Sequence, residues 1–392
     1  MKEKLPKLMA FFLCYILLFI TFSGCIENEQ KQEEKALSVP EVKLDQPSIL
    51  PDWKDGEYHE YYETTDMLSD FKVKYPDLVN LFSIGKSVLG KDIWCIRLTN
   101  ENNTKSKASC LIDGCIHGNE WEGGEACLYL AEYLLVNFDV NETITNILNS
   151  SEIYIVPLLN PDGRQENTRW NENGIDLNRN FDIAFGRLLP RRGGVLRIGK
   201  LFGFIKIPYI DLPGRGYWNL YTNCGKYPFS EPESQAFRDF MRELENDDFS
   251  FYVNCHTATH SINMPWAMFK PPFKMTEQEK KLFYYVLEWV EKNTEYESEK
   301  IPSYKGKTYY NSGIAQDWIY KEYRIPSFIF EILSADYEPF MGKGKHDNLV
   351  HWMKTTLPFF MYLLINIDNL RQWRTPDIQP PLPESVPPEP LH

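Results

Sequence analysis

Short strand-like runs alternate with helix-like runs through the middle of this chain, and this alternation constrains the fold more than any other feature. Four runs are apolar, β-branched or aromatic and are bounded by polar residues, Gly or Pro: Ser109–Ile116, Glu152–Leu159, Phe251–Cys255 and Ser327–Ile332. The segment Gly123–Phe138 instead has apolar residues at helical spacing. The pattern predicts an α/β fold, a single domain whose mixed, mostly parallel, twisted sheet is covered by helices on both faces.

We expect the folded domain to span residues 53–372. At 392 residues the chain is long enough to bury one large core. The last apolar run of the domain, Leu357 to Ile367, is too short to cross a bilayer, so it is expected to close the core as a helix with Pro358 in its first turn. Residues 373–392 are rich in proline, and we interpret them as an extended, non-catalytic tail.

Residues 1–24 have the pattern of a signal peptide for export. Lysines precede an uncharged apolar run from Leu8 to Phe22, and small residues then lead to Cys25. This end resembles the lipobox of exported lipoproteins, which predicts a lipid anchor at Cys25; the alternative is an uncleaved signal anchor in which Cys25 has no role. Residues 25–52 have the composition of a flexible tether. Both interpretations place the domain outside the cytoplasm, either anchored to the outer face of the cell membrane or secreted.

The formal net charge of −13 argues against nucleic-acid binding, which needs a basic surface. Residues 185–223 depart from this acidic balance, because they contain seven Lys or Arg and one acid. This basic, Gly-rich insertion is either a solvated surface loop or a rim of the binding cleft that favours acidic peptides or anionic lipid head groups. The sequence does not decide between the two interpretations.

Residues able to bind a metal follow the predicted strands at their carboxyl ends, where ligands lie in sheets of this kind. His117 and Glu120 come after the first strand, and His256 comes after the third. Glu331 lies near the end of the fourth strand. The chain has only seven histidines, so two of them at strand ends are informative. A lone His-x-x-Glu is a weak motif, but this combination points to a catalytic metal site.

Several sequence blocks together resemble the zinc carboxypeptidase family, the carboxypeptidase A-like peptidases. The blocks occur in family order: Tyr75-Pro76-Asp77-Leu78-Val79, Ser83-Ile84-Gly85-Lys86-Ser87, His117-Gly118-Asn119-Glu120, Asn160-Pro161-Asp162-Gly163, Asp176-Leu177-Asn178-Arg179-Asn180-Phe181, Pro228-Phe229-Ser230-Glu231-Pro232-Glu233, Ser312-Gly313, Asp317-Trp318 and Phe330-Glu331. The resemblance covers nearly the whole folded domain. It implies one zinc ion per chain and an enzyme that hydrolyses the C-terminal peptide bond of peptides and proteins.

The resemblance also implies the residues that bind zinc and carry out the chemistry. His117, Glu120 and His256 match the zinc ligands, a set that leaves one coordination position for water. Glu331 matches the general base that takes a proton from the zinc-bound water. His260 matches no ligand of the family, and we interpret it as a bystander.

Two arginines are implied to act on the substrate. Arg169, ten residues before Arg179, falls at the position of the arginine that stabilises the oxyanion, and Arg164 is a competitor for this role. Asn178 and Arg179 match the pair that holds the terminal carboxylate, for which a guanidinium fork is well suited.

The remaining implied substrate contacts are a mobile tyrosine and the base of a side-chain pocket. Tyr309 matches the tyrosine, although a one-residue difference in loop length would select Tyr310. Gln316 falls at the base of the pocket for the terminal side chain, where the family tends to have an apolar or an acidic residue. A glutamine there suggests tolerance of polar or small terminal residues.

Two alternative functions stay open. One is a hydrolase of the same fold that cuts a γ-D-glutamyl bond in cell-wall peptides. The other is a non-catalytic module that binds peptide ends without cutting, although the implied ligands and base are all present. The expected partners are peptide or protein C-termini and, through the possible lipid anchor, the membrane; we expect a monomer.

Overall fold

A computed structural model describes residues 48–185, 194–197, 204–207, 224–244, 249–257, 259–267, 271–299, 312–333 and 348–372. The strands in these ranges are β1 (Val79–Lys86), β2 (Asp92–Leu98), β3 (Ala108–Gly114), β4 (Ser151–Val156), β5 (Gly194–Arg197), β6 (Phe204–Ile207), β7 (Phe249–His256), β8 (Ser261–Asn263), β9 (Glu297–Glu299) and β10 (Ser327–Glu331). The α-helices are α1 (Tyr61–Lys74), α2 (Trp121–Val136), α3 (Glu142–Ser150), α4 (Pro161–Glu166), α5 (Pro232–Glu243), α6 (Glu277–Asn293), α7 (Ala315–Tyr323), α8 (Leu349–Ile365) and α9 (Ile367–Gln372).

Eight strands form one sheet in the order β1-β2-β4-β3-β7-β10-β8-β9. The central strands β4, β3, β7 and β10 are parallel to one another. Strands β1, β2 and β8 run antiparallel to their inner neighbours, and β9 pairs parallel with β8. Four of the seven pairings are therefore parallel, and the predicted mixed sheet is confirmed. Strands β5 and β6 form a separate antiparallel hairpin within the 185–223 insertion.

Helices cover both faces of the sheet, as strand β7 illustrates. The side chain of Cys255 lies against Cys127 of α2 on one face. On the opposite face Tyr252 packs against Phe237 of α5, with the ring centroids 5.8 Å apart. Every residue of β7 is buried, as expected for a central strand of a parallel sheet that has helices on both sides.

The helices match the predicted ones in type and differ in their bounds. The expected helix after the first strand is present as α2, which is buried along almost its whole length. The C-terminal helix begins at Leu349, so Pro358 lies inside α8 and not in its first turn. The apolar run marks only the C-terminal part of this helix. The helix extends further toward the N-terminus, where the buried Leu349 and Met353 are separated by exposed residues such as His351.

Several predicted features fall outside the described ranges. These are the signal peptide at residues 1–24, the tether up to residue 47, most of the 185–223 insertion, Tyr309, Tyr310 and the tail at residues 373–392. Among the helices of the described ranges, none has both the length and the apolar character needed to cross a bilayer.

Candidate metal centre

Three predicted functional side chains lie at the carboxyl edge of the parallel strands. His256 is the last residue of β7 and Glu331 is the last residue of β10, and the two are register partners on adjacent strands. His117 follows β3, which ends at Gly114 and pairs with the other side of β7. Neighbouring parallel strands therefore bring all three residues to the same edge of the sheet, where ligands bind in α/β sheets.

The ligand atoms of His117, Glu120 and His256 lie within 4.8 Å of one another, and all three residues are buried. One carboxylate oxygen of Glu120 is 2.8 Å from Nδ1 of His117, and the other is 2.7 Å from Nδ1 of His256. The two imidazole rings are 4.8 Å apart between centroids. Two Nδ1 atoms and one carboxylate thus converge on a common point.

The opposite ring nitrogens of both histidines face oxygen atoms. Nε2 of His117 is 3.1 Å from a carboxylate oxygen of Asp176. Nε2 of His256 is in hydrogen-bonding contact with the side-chain oxygen of Asn254. An oxygen acceptor behind Nε2 favours the tautomer that carries its proton there, which leaves the lone pair of Nδ1 free to bind a metal.

The charges around Glu120 favour its ionised form. Burial alone would raise the pKa of this carboxyl, but the adjacent imidazoles of His117 and His256 outweigh burial and hold the pKa well below its usual range. Burial likewise would raise the pKa of Asp176, and the charges of Arg169, His117 and Arg179 lower it far more. Both carboxyl groups are therefore carboxylates at neutral pH, as a metal ligand and its supporting acceptor should be.

The structure distinguishes the two arginines that competed for the oxyanion role. Arg169 lies beside the metal-binding group, with Nη1 3.2 Å from Glu120 and Nε 2.9 Å from Asp176. Arg164 is fully buried elsewhere, where its guanidinium pairs with Glu125 and stacks 3.6 Å from the ring centroid of Trp121. Arg169 is thus the arginine whose position suits an action at the metal centre.

Gly118 allows the loop of His117 and Glu120 to pack tightly against helix α4. A Cβ atom placed on Gly118 would lie 2.0 Å from the carbonyl carbon of Gly163. Such a distance is impossible for a real side chain, so the two backbones can come this close only with glycine at position 118. The side chain of Asn160 caps α4 by accepting a hydrogen bond from the amide of Gly163 at 2.9 Å. Two of the recognised blocks are therefore a single packing unit that fixes the metal-binding loop.

Asn178 and Arg179 lie in a short 3₁₀ turn (Leu177–Arg179) beside the metal centre. The side-chain oxygen of Asn178 accepts a hydrogen bond from the amide of Ala315 at 2.9 Å, and its Nδ2 lies 3.3 Å from Nε2 of His256. Nη1 of Arg179 donates to the carbonyl of Asn178 at 2.5 Å. Gly313 packs against the turn so closely that a Cβ atom there would lie 2.2 Å from the carbonyl oxygen of Arg179.

Gln316 is almost completely buried at the start of α7. Its Nε2 donates to the backbone carbonyls of Asn263 at 2.7 Å and Ser327 at 3.1 Å, which ties α7 to strands β8 and β10. In the part of the chain that the structure describes, its Oε1 has no hydrogen-bond partner. The nitrogen of this side chain therefore has a structural role. Its oxygen is a buried acceptor for which the described part of the chain provides no donor.

Glu331 differs from the strand residues that flank it. Phe328 and Phe330 are fully buried, whereas Ile329 and Glu331 are partly accessible. Because alternate residues of a strand share a face, Ile329 and Glu331 are on the same side of β10. The carboxyl group thus stands at the sheet edge beside His256 with access from outside.

His260 does not join the metal-binding group. Its ring lies 4.5 Å from the ring of Tyr296 and 5.6 Å from that of Trp352, measured between centroids. Burial lowers the pKa of this imidazole, although Glu295 and Glu297 act in the opposite direction.

Comparison with known proteins decides the family. A zinc carboxypeptidase (peptidase M14) family model matches residues 64–342. The chain belongs to the zinc carboxypeptidase family. Human carboxypeptidase A6 is 24% identical over 340 residues, which cover 82% of this chain and 70% of that protein. Mouse carboxypeptidase D is 31% identical over 164 residues, but these cover 38% of this chain and only 12% of that protein.

Solved structures show the same fold for this zinc carboxypeptidase. The carboxypeptidase A of Helicoverpa armigera superposes with a TM-score of 0.62 at 18% identity, covering 88% of this chain and 81% of that one. Thrombin-activatable fibrinolysis inhibitor superposes with a TM-score of 0.61 at 22% identity, covering 80% of this chain and 75% of that one. At these identities the likeness concerns the fold alone.

The converging residues fit the zinc ion that the family implies. Two imidazoles and one carboxylate are the ligand set of a catalytic zinc site. Both imidazoles have an oxygen behind Nε2, so their Nδ1 lone pairs point to the same place as Glu120. His117, Glu120 and His256 are therefore the residues that would hold the ion.

Sequence reasoning missed the residues that support this group. Asp176 stood in a recognised block without an assigned role, yet it contacts both His117 and Arg169. Its position three residues before Arg179 was the available signal. Asn254 precedes His256 by two residues on the same face of β7, which could have indicated a partner for the imidazole.

Proposed function

We propose that this protein is a zinc metallocarboxypeptidase that removes residues from the free C-terminal end of peptides and proteins. The observation that carries the proposal is the convergence of His117, Glu120 and His256 at a sheet edge shared with Glu331. Asn178 contacts His256, and the charge of Arg179 acts on the neighbouring Asp176. A metal-binding group alone would suit many hydrolases. A guanidinium beside it suits substrates that end in a carboxylate.

The proposed chemistry divides between the metal and the residues around it. A zinc ion in this site supplies Lewis acidity, which lowers the pKa of water and polarises a carbonyl group. Glu331 takes the proton of the attacking water and passes it to the departing amine. Arg169 stabilises the negative charge that develops on the carbonyl oxygen of the scissile bond. Asp176 holds Nε of Arg169, which aims the rest of the guanidinium toward the centre.

The substrate is held by its terminal carboxylate. Asn178 and Arg179 bind this group, so only the last peptide bond of a chain lies over the metal centre. We propose that Tyr309 closes over the substrate, as its family position implies. Gln316 would accept a hydrogen bond from the terminal side chain through its Oε1, which lacks a partner among the described residues, and this favours polar terminal residues.

We further propose that the enzyme acts outside the cytoplasm as a monomer. The proposal rests on the N-terminal sequence, which has the pattern of an export signal and a possible lipid anchor at Cys25. The substrates would then be extracellular peptides or the C-termini of exposed proteins.

The deciding experiment compares pairs of peptides that differ only in their last group, a free carboxylate or a carboxamide. The purified protein is incubated with each pair as isolated, after removal of metal by a chelator, and after zinc is restored. We expect mass spectrometry to show stepwise loss of C-terminal residues from the free acids alone, abolished by chelation and recovered with zinc. Intact free acids after incubation with folded, zinc-loaded protein would contradict the proposal. Cleavage of a cell-wall tripeptide by the same sample would then identify a γ-D-glutamyl hydrolase.

A further inference from the structure

The two histidines of the metal centre are supported in different ways. Behind His117 stands a carboxylate, because Asp176 contacts its Nε2 directly. Behind His256 stands an amide, because its Nε2 contacts the side-chain oxygen of Asn254. An amide is an ambiguous partner, since rotation by 180° would present its NH₂ group instead of its oxygen. Something must fix the orientation of Asn254 if His256 is to keep one tautomer.

The side chain of Asp113 supplies this constraint. Asp113 lies on β3 and is the register partner of Asn254 on β7, and both residues are completely buried. The Nδ2 group of Asn254 donates to one oxygen of Asp113, while the hydroxyl of Tyr252 donates to the other at 2.7 Å. Burial raises the pKa of Asp113 to about 7, so above this pH the group is a carboxylate. A carboxylate offers only acceptors, so it accepts the NH₂ group of Asn254 and rejects the flipped amide.

We propose that Asp113 is a positioning residue for the zinc site, which acts through Asn254 to hold His256 with its proton on Nε2 and its Nδ1 lone pair toward the metal. With Asp113 ionised, the groups form one consistent series: the carboxylate accepts from the NH₂ group, the amide oxygen faces the ring, and the ring nitrogen donates to it. The Asp113–Asn254 pair thus does for His256 what Asp176 does for His117. The inference rests on the proposed role of His256 as a zinc ligand.

A second amide approaches the same ring nitrogen. Nδ2 of Asn178 lies 3.3 Å from Nε2 of His256, while the oxygen of Asn178 accepts the amide of Ala315. Asn178 would therefore favour the opposite tautomer, with a lone pair on Nε2. At 3.3 Å the contact of Asn178 is at the long end for a hydrogen bond, whereas the oxygen of Asn254 is held toward the ring by the bond between its NH₂ group and Asp113. We therefore expect the Asp113–Asn254 pair to prevail. The competition explains why the orientation of Asn254 has to be enforced.

The test exchanges the side chains of Asp113 and Asn254. In Asp113→Asn the new amide can turn either way, since the hydroxyl of Tyr252 both donates and accepts, and His256 is no longer restricted to one tautomer. Combining Asp113→Asn with Asn254→Asp restores a single arrangement of donors and acceptors. Tyr252 donates to the amide oxygen at position 113, and the NH₂ group at position 113 donates to the carboxylate at position 254. That carboxylate then accepts from Nε2 of His256. The double variant has the same atoms at nearly the same places as the wild type.

Two measurements on the full chain read the result without using peptide hydrolysis. Zinc affinity is obtained by competition with a chromogenic chelator, and ¹⁵N chemical shifts of histidine report which ring nitrogen carries the proton. We expect zinc affinity to fall about 10- to 100-fold in Asn254→Ala and Asp113→Asn, and to recover toward the wild-type value in the double variant. The ¹⁵N shifts of His256 should show mixed tautomers in Asp113→Asn and the Nε2–H form alone in the wild type and the double variant.

Tyr252→Phe is the matched control, because it removes the other donor to Asp113 and leaves Asn254 in place. It should bind zinc as the wild type does. Equal zinc affinity in the wild type, Asn254→Ala and Asp113→Asn would overturn the inference while leaving the proposed function intact. A wild-type protein that binds no zinc would instead contradict the proposed function. If Asp113→Asn unfolds, failure of the double variant to regain zinc binding counts against the inference.

Discussion

The site has a metal-binding half, formed by His117, Glu120 and His256, and a proposed substrate-binding half, formed by Asn178, Arg179 and Gln316. The two halves are built in different ways. His256 lies on a central strand, and the oxygen behind its ring comes from the same strand two residues earlier. Arg179, by contrast, lies in a short turn whose position depends on Gly313, a residue far away in the chain. The metal-binding half thus combines a residue of the sheet with the loop of His117 and Glu120, which packs on α4 directly after β3. The substrate-binding half depends on the docking of two loops that are distant in the chain.

This difference predicts that the two halves can be damaged separately. Residues of the metal-binding half should change zinc affinity, whereas residues of the substrate-binding half should change the Michaelis constant and leave zinc in place. Glu331 stands at the strand edge beside His256 but is not among the converging ligand atoms. It should therefore belong to neither class, and it provides the largest expected effect.

Glu331→Gln is expected to lower kcat by about 10²- to 10⁴-fold, because the amide cannot take a proton from water. Zinc content and zinc affinity should stay unchanged, since the substitution keeps the shape of the side chain and leaves His117, Glu120 and His256 in place. Kinetics with a free-ended peptide and metal analysis of the same sample provide the measurement. The matched control is Glu277→Gln, which makes the same change at an exposed position on α6.

A parallel loss of zinc in Glu331→Gln would contradict the separation, because Glu331 would then belong to the metal-binding half. A variant that keeps full activity would remove Glu331 from the proposed chemistry altogether.

The sequence predicted the parts of this site that depend on local pattern. Strand-like runs located β3, β7 and β10 to within two residues at either end, because β-branched and aromatic residues bounded by polar ones are a strong local signal. Positions just past these runs pointed to His117 and His256, because the carboxyl ends of parallel strands meet at one edge.

The missed features depend on contacts between distant segments. Asp113 and Asn254 are 141 residues apart and each looks like an ordinary core position of a strand, so only their register shows that they form a pair. Arg169 was preferred to Arg164 from spacing alone, and the buried ion pair of Arg164 with Glu125 is a tertiary contact that the sequence did not show. Spacing along the chain favoured one arginine, and tertiary structure supplied the physical reason.

Gly313→Ala tests whether the substrate-binding half depends on the docking of two loops. Gly313 has φ of +66°, and a Cβ atom there would lie 2.2 Å from the carbonyl oxygen of Arg179. The turn that carries Asn178 and Arg179 must move to admit the methyl group. We expect the Michaelis constant for free-ended peptides to rise roughly tenfold and the free energy of unfolding to fall by about 1–3 kcal/mol. Zinc affinity, measured by chelator competition, should change less than the Michaelis constant, since His117, Glu120 and His256 all lie outside the displaced turn.

Gly90→Ala is the control, because it introduces the same kind of backbone strain as Gly313→Ala but no close contact with a neighbouring residue. Gly90 has φ of +81°, and a Cβ atom there would meet nothing within 4 Å. It should lose stability and keep the wild-type Michaelis constant. If Gly313→Ala weakens zinc as much as it raises the Michaelis constant, the two halves are not independent.

The smallest expected effect concerns a buried acid on the substrate-binding side. Burial raises the pKa of Asp317, beside Gln316, to about 7. The folded protein therefore holds a proton on Asp317 between about pH 4 and pH 7 that the unfolded chain releases, so the contribution of Asp317 to stability is lost as pH rises through this window. Asp317→Asn removes the titration, while its side-chain oxygen can still accept from the amide of Ala267.

The free energy of unfolding of Asp317→Asn, taken relative to that of the wild type, should therefore rise by about 1 kcal/mol for each pH unit between roughly pH 5 and pH 7. Denaturant unfolding of the zinc-free proteins across this range provides the measurement. The gain should be confined to stability, because Asp317 holds the backbone of Ala267 and has no part among the converging ligand atoms. A constant offset with no dependence on pH would mean that Asp317 is ionised throughout the range. A loss of zinc affinity in this variant would show that the substrate-binding half supports the metal centre, and the two halves would have to be treated as one.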